Sequence, residues 1–509
     1  MTIPGWPLRF GEGKSMLTGM KGQNISAGSH RSPSVLFLLM CLFCLFLACF
    51  AASEACAAAA DSLSEAQLAC LRKAVNHQKH GWVYLHIEGG PRDRGFQHGY
   101  LLASEIAESL RVTRELWKHG SAMEWSWLVE KAKTMLEPNV DAENLAELDG
   151  LVEGLRAAGV VSSRAEMIAY NAWFELDGYW WPKEKKKMGA DTPQPVRQSC
   201  SAFIATGRMT ADGGVVLGHN SMVEYPQATA NVVLDVLPAK GHRILMQAWP
   251  GWIHSGTDFF VTDAGLVGAE TTIGNFEGYS EQGIPEFARM RRASQDAASI
   301  DEWCAVMKHG NNGGYANAWL LGDVRSGAIA RLELGLKHTS LEKTRDGYFL
   351  GSNIAENLKV LRFETDANES DVRLSSVARR VRWKNLMSQY AGKIDVKRAE
   401  QFEADHYDAY TEKVNAGGRS LCGHFELDHE FWGAWPGGPF YPAGTFDGKV
   451  VDSTLAKAMS FAARWGSACG RPFDAQKFLA AHPQFDWMKE ILKSRPTQPW
   501  TVFQAGEKN

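Results

Sequence analysis

The spacing of apolar residues along this chain changes character at residue 200. Between about 61 and 182 the apolar positions recur at helical intervals. Leu102, Ile106 and Leu110 share one face, and Leu145, Leu148, Leu151, Val152 and Leu155 share another. The first of these helices is expected to follow a short strand at 82–87 and the segment Arg94-Gly95-Phe96-Gln97-His98-Gly99, and to stop at Gly120. The second stops at Gly159, and Ser163 with Glu166 predicts a capping box for a third, through Ile168 and Trp173. From Cys200 short β-branched and apolar runs take over, at 202–205, 215–217, 232–236, 244–248, 259–262 and 266–273. Asp212-Gly213 and Asp263-Ala264-Gly265 supply turns between them.

Two helices interrupt the strands, at 285–297 and 300–309, the latter capped by Ser299 with Glu302 and closed by Gly310. Strands resume at 318–321, 328–334 and 348–351. The final part reads as helices at 371–391 and 453–465 around an irregular Gly/Pro/Trp-rich loop at 432–448. Helices flanking mostly antiparallel strands predict an α+β fold, a four-layer αββα sandwich of antiparallel sheets.

Cys200 opens the first hairpin, directly after residues 183–199. That stretch carries a lysine cluster, Gly189, Pro193 and Pro195 and has no apolar period, so it reads as an exposed linker. The organisation expected is therefore a leader over 1–60, a helical N-terminal part over 61–182, the linker over 183–199 and a core with a helical C-terminal region over 200–509. Residues 35–51 form an uncharged apolar run, preceded by His30 and Arg31 and followed by small residues up to Ala60. This is the pattern of a secretory signal peptide, so the chain is expected to be exported: secreted, periplasmic or lysosomal according to its host. An uncleaved anchor is the weaker alternative.

Cysteine usage is compatible with export. Beyond the leader remain Cys70, Cys200, Cys304, Cys422 and Cys469; four can pair as disulfides, and the odd thiol, taken here as Cys200, is a candidate reactive group. A net charge of −4 with 22% charged residues gives no basic footprint for nucleic acid. The 18 Trp residues can line an apolar pocket or anchor the core. There is no His-Glu-x-x-His motif, and His424 and His429 are not at i,i+4 spacing, so neither a metal nor a cofactor is expected. A papain-like protease would place its cysteine at a helix start, whereas Cys200 opens a strand.

The order of motifs carries a resemblance. Cys200-Ser201-Ala202 and Gly218-His219-Asn220 are followed by Gly251-Trp252-Ile253-His254-Ser255-Gly256-Thr257-Asp258. Next come Glu270-Thr271-Thr272-Ile273-Gly274-Asn275, the run from Asn311 to Trp319, Ser352-Asn353-Ile354 and Phe446-Asp447-Gly448-Lys449-Val450. This succession resembles the phospholipase B-like family and, more broadly, the N-terminal-nucleophile hydrolases, over most of the chain from about 82 to 500.

The resemblance implies self-cleavage between Ser199 and Cys200, with the two fragments remaining associated, and hydrolysis of a fatty-acyl ester of a phospholipid through an acyl-thioester. The implied partner is an acylated small molecule or lipid, a substrate at a membrane surface included. Cys200 would be the nucleophile and its freed α-amine the base. By the same resemblance Asn353 is the oxyanion donor, with Thr272 where a second donor is expected. His219 either orients the cysteine amine or is a hydrogen-bonded strand histidine. Asn317 and Asp258 are supporting candidates. The acylase branch places a carboxylate where Met222 stands here. Two alternatives remain open: an N-acyl amide hydrolase of the penicillin acylase or ceramidase type, and a non-catalytic lipid- or glycan-binding protein on the same fold.

Overall fold

The computed structural model describes residues 63–189, 200–256, 258–430 and 437–508. The expected leader and most of the expected linker, 190–199, lie outside these residues. Among the described residues no helix is long and apolar enough to cross a membrane.

Two sheets carry the architecture. The first has nine strands in the order β1 (Val75–Lys79), β2 (Trp82–Gly89), β5 (Asn231–Pro238), β6 (Ile244–Ala248), β7 (Phe259–Thr262), β8 (Leu266–Thr272), β9 (Asn317–Asp323), β10 (Ala328–Leu334) and β11 (Thr339–Thr344). The second has six, in the order β12 (Gly347–Gly351), β3 (Ser201–Thr206), β4 (Val216–Glu224), β15 (Ala443–Asp452), β16 (Ser460–Trp465) and β17 (Thr501–Gln504). A two-residue ladder joins β13 (Tyr407–Asp408) to β14 (Lys413–Val414). Within both large sheets every pairing is antiparallel except β2 with β5.

The sheets face one another through β3 and β4 against β8, β9 and β10. Helices Glu286–Asp296 and Ile300–Lys308 cover the outer face of the first sheet, and Ser375–Gln389 and Val396–Glu403 that of the second. This is an α+β, four-layer sandwich. Strands covered on both faces lose the alternation of a half-exposed sheet, so every residue of β3 and β8 is buried. Phe203, Val216 and Val450 of the second sheet pack under Trp383, Leu386, Met387 and Phe402 of its covering helices.

The segment 94–99 does not merely precede a helix. It lies inside one, Pro91–Leu101, which packs against Ala142–Ala157. Glycines at the crossing let the backbones touch: a Cβ on Gly95 would fall 1.9 Å from the Glu147 carbonyl oxygen, and one on Gly99 2.1 Å from that of Leu151. The next helix runs Ala103–Ser121, past Gly120, and ends where Ala122 turns left-handed. Ser163 caps Arg164–Asn171 through the Glu166 amide, but the Glu166 carboxylate goes to Arg114 and Trp125 instead of closing the box.

Three further expectations change. Lys183 to Lys187 belong to the helix Trp181–Lys187, not to a linker. The expected loop at 432–448 ends in β15. The expected helix at 453–465 is one turn, Ser453–Lys457, followed by β16. Ala462 and Ala463 are good helix formers, but pairing Val450 with Ala462 and Lys449 with Ala463 completes the sheet, and this tertiary gain outweighs local propensity. Finally, all five described cysteines are free thiols, so the expected disulfides are not formed.

Candidate active site

Strand register assembles the site. Gly351 of β12 pairs with Ala202 of β3, so the chain leaving β12 at Asn353 arrives beside Cys200, the residue that enters β3. Ser201 pairs with Asn220 on the other side, and β4 in turn pairs with β15, Ser221 opposite Asp447 and His219 opposite Lys449. From the facing sheet β8 contributes Glu270, and the turn before β7 contributes Asp258. The thiol of Cys200 and the carboxyls of Asp258 and Glu270 lie within 4.8 Å of one another.

The backbone is strained here. Cys200 (φ +78°), Asp258 (+69°), Tyr315 (+55°) and Asn353 (+67°) are all left-handed without being glycine. Each such residue costs on the order of 1–3 kcal/mol, and clustering of that kind is typical of functional sites. Their side chains interlock. Arg379 of the helix Ser375–Gln389 donates through Nη1 to the Cys200 carbonyl and through Nη2 to Asn353 Oδ1, both at 2.7 Å. Asn353 Nδ2 donates to the Thr272 carbonyl at 2.7 Å, and Tyr315 Oη donates to Asp258 Oδ2 at 3.0 Å.

Charge follows from burial. Cys200 is 3% exposed; desolvation, then the negative charge of Asp258, pushes its thiol up to about 12. Burial raises both carboxyls of the Asp258–Glu270 pair, and Asp258 drives Glu270 further up. Burial lowers Arg379 only to about 10, which leaves it cationic at neutral pH. Beneath the nucleophile Lys449 Nζ meets Asp447 Oδ1 and Ser221 Oγ, each at 2.5 Å, and Asp447 Oδ2 accepts from Asn231 at 2.8 Å.

Among the residues singled out from sequence, the structure brings Cys200, Asp258 and Asn353 together, with Thr272 joined through its carbonyl. Asp258 is an immediate neighbour of the thiol rather than a remote support. His219 is buried, and desolvation followed by Lys449 lowers it well below its ordinary value, so it is neutral. Its Nε2 donates to the Glu270 carbonyl at 2.9 Å, which bridges β4 to β8 across the two sheets and matches the strand-histidine reading. Asn317 pairs with Thr272 in the ladder, and no hydrogen bond is formed by its buried side-chain amide.

Sequence reasoning missed Glu270, Tyr315, Asp447 and Lys449 as participants, although all four lie within motifs it had marked. It missed Arg379 altogether. Nothing distinguishes that residue from Arg373, Arg380 and Arg382 nearby except the fold.

An apolar pocket adjoins the site through Tyr315, lined by Phe174, Trp252 and Phe287 with Glu175 and Glu286 in its wall. Burial pushes Glu175 up to about 7 and raises Glu286 well above its ordinary value.

Comparison with known proteins agrees with the motifs. Residues 141–330, which hold Cys200, Asp258, Glu270 and Thr272, match the family model described as Phospholipase B. A putative phospholipase B-like 2 from Bos taurus is 33% identical over 145 residues, 25% of this chain and 24% of that protein. Phospholipase B-like protein C from Dictyostelium discoideum is 28% identical over 25% of this chain and 24% of its own length. An uncharacterized protein from Archaeoglobus fulgidus is 26% identical over 36% of this chain and 32% of its own. The matched stretches thus span about a quarter to a third of these relatives.

Among solved structures, a conjugated bile acid hydrolase mutant from Clostridium perfringens aligns over 52% of this chain and 89% of its own, with 9% identity and a TM-score of 0.30. Penicillin V acylase from Agrobacterium tumefaciens aligns over 52% and 83%, with 10% identity and a TM-score of 0.28. The resemblance to phospholipase B-like proteins holds over the central segment of the chain.

Proposed function

We propose that the chain is a cysteine N-terminal-nucleophile acyl hydrolase that matures by cutting itself between Ser199 and Cys200. The observation that carries this reading is the Cys200 backbone: left-handed, entering a fully buried strand, with its carbonyl gripped by the guanidinium that also holds Asn353. In the cut, Sγ attacks the Ser199 carbonyl and the C–N bond breaks to give a thioester. Water then releases a Ser199 carboxylate and the Cys200 α-amine.

The new amine, with an ordinary pKa of about 7.7–8.0, arises beside Asp258, which holds its ammonium form in place. In turnover the neutral amine takes the thiol proton, Sγ attacks the acyl carbonyl, and the ammonium protonates the leaving group. Water then hydrolyses the thioester. The side-chain amide of Asn353, held by Arg379 and by the Thr272 carbonyl, is the proposed donor to the oxyanion. The substrate class proposed is a phospholipid ester, on the likeness of residues 141–330 to the phospholipase B model. Amide substrates would use the same thioester route.

Intact-mass analysis of active protein is the test: two fragments divided at Cys200 are expected, and one uncut chain from Cys200→Ala. An active, uncut wild-type chain would refute the proposal. Phospholipids and N-acyl amino acids assayed side by side then fix the leaving group.

A further inference from the structure

Away from Cys200, at the rim of the six-stranded sheet, four side chains converge that the reading above does not use: His406, Cys422, His424 and Cys469. Their ligand atoms lie within 4.8 Å of one another. They come from three separate segments: the loop after the helix Val396–Glu403, the stretch that reaches β15 through the bridge between His424 and Gly444, and the turn following β16. We propose that these four residues bind one zinc ion in a closed, tetrahedral Cys2His2 site that fastens the three segments together.

The geometry suits the ion. Zinc–sulfur bonds of about 2.3 Å and zinc–nitrogen bonds of about 2.0–2.1 Å at tetrahedral angles put sulfur and nitrogen roughly 3.6 Å apart. His424 Nε2 lies 3.6 Å from Cys422 Sγ and 3.4 Å from Cys469 Sγ. These distances are close to a tetrahedral edge around a missing centre. The other His424 nitrogen, Nδ1, faces Glu426 Oε1 at 3.0 Å, the carboxylate–histidine arrangement that fixes tautomer and ring direction for a metal. Although buried, His406 Nε2 has no hydrogen-bond partner. The Arg471 amide is aimed at Cys469 Sγ at 3.4 Å, a contact that favours sulfur as a thiolate.

A disulfide between Cys422 and Cys469 is the competing use of the two sulfurs, but it leaves both imidazole nitrogens without purpose. Two soft thiolates and two imidazoles in a tetrahedral setting select zinc over calcium or magnesium. With four protein ligands and no open position, the ion would be structural.

The site also communicates with the sheet that carries the nucleophile. Asn220, which pairs with Ser201, donates to the carbonyls of Glu403 at 2.7 Å and Leu421 at 3.0 Å, the latter adjacent to Cys422.

Elemental analysis of the full chain, purified without chelator, tests the proposal together with thiol mapping under denaturing conditions. About one zinc per chain is expected, with Cys422 and Cys469 both alkylatable once the ion is removed. Cobalt exchanged into the site should show thiolate-to-metal charge-transfer absorption. His406→Ala and Cys469→Ser should lose the metal, Glu426→Gln should weaken its binding by roughly 10–100-fold, and His429→Ala should keep it. The wild-type measurements need no variant to fold. Metal-free protein, with or without Cys422 joined to Cys469, or metal retained in both ligand variants, would overturn the assignment. None of these readouts depends on whether the chain cuts itself.

Discussion

The two reactions ascribed to Cys200 should have different pH profiles, because the thiol has a different base in each. Before cleavage there is no α-amine, and the thiol is buried beside Asp258 with its pKa near 12. At pH 7 the thiolate fraction is then on the order of 10⁻⁵, and at pH 9 on the order of 10⁻³. Precursor cleavage should therefore speed up about tenfold per pH unit, still climbing at pH 9. After cleavage the α-amine, titrating near about 8, becomes the base, and turnover should bend to a plateau just above that value. Precursor prepared quickly at about pH 6, where the thiolate is rarest, can be jumped to a series of pH values. Fragment formation is then followed by gel densitometry and intact mass, with ester hydrolysis by the matured protein measured in parallel. A cleavage rate that levels off at or below pH 8 would refute the reasoning. It would mean that the thiol is not held up by desolvation, or that a side chain already serves as its base.

Asn353→Ala should lower turnover by roughly 10²–10³-fold with the matured chain still folded; near-normal rates would remove Asn353 from the oxyanion role. Lys449→Met leaves Asp447 as a buried carboxylate without its cation and should cost about 3–5 kcal/mol in denaturant unfolding, much of it recovered by adding Asp447→Asn. Gly95→Ala, whose new methyl meets the Glu147 carbonyl at 1.9 Å, should destabilise the crossing of Pro91–Leu101 with Ala142–Ala157, read as a lower melting temperature; an unchanged value would show that the helices can separate freely. Exported protein should begin between about Ala52 and Asp61, and N-terminal sequencing that found residues before Val35 would exclude cleavage of the leader.

The sequence by itself determined the elements whose signals are local. Helical spacing, the Ser163 and Ser299 caps, and the turns at Asp212-Gly213 and Asp263-Ala264-Gly265 each depend on neighbours a few residues away, so helices and hairpins appeared close to where they were expected. The marked motifs contained Cys200, Asp258, Glu270, Asn353, Asp447 and Lys449, because runs of small and polar residues at strand ends are visible in a string of letters. Tertiary structure decided everything that rests on distant pairing. The stretch 460–465 is a strand only because β15 and β17 lie on either side of it. Arg379 matters only because its helix lies over the junction of β12 and β3, where one guanidinium reaches both Cys200 and Asn353. His406, Cys422, His424 and Cys469 span more than sixty residues without a recognisable spacing, and they meet because three connections converge near the start of β15 and the end of β16. Local propensity is set by a residue and its near neighbours, whereas the proximity of side chains far apart in sequence is fixed only when sheet register closes the fold.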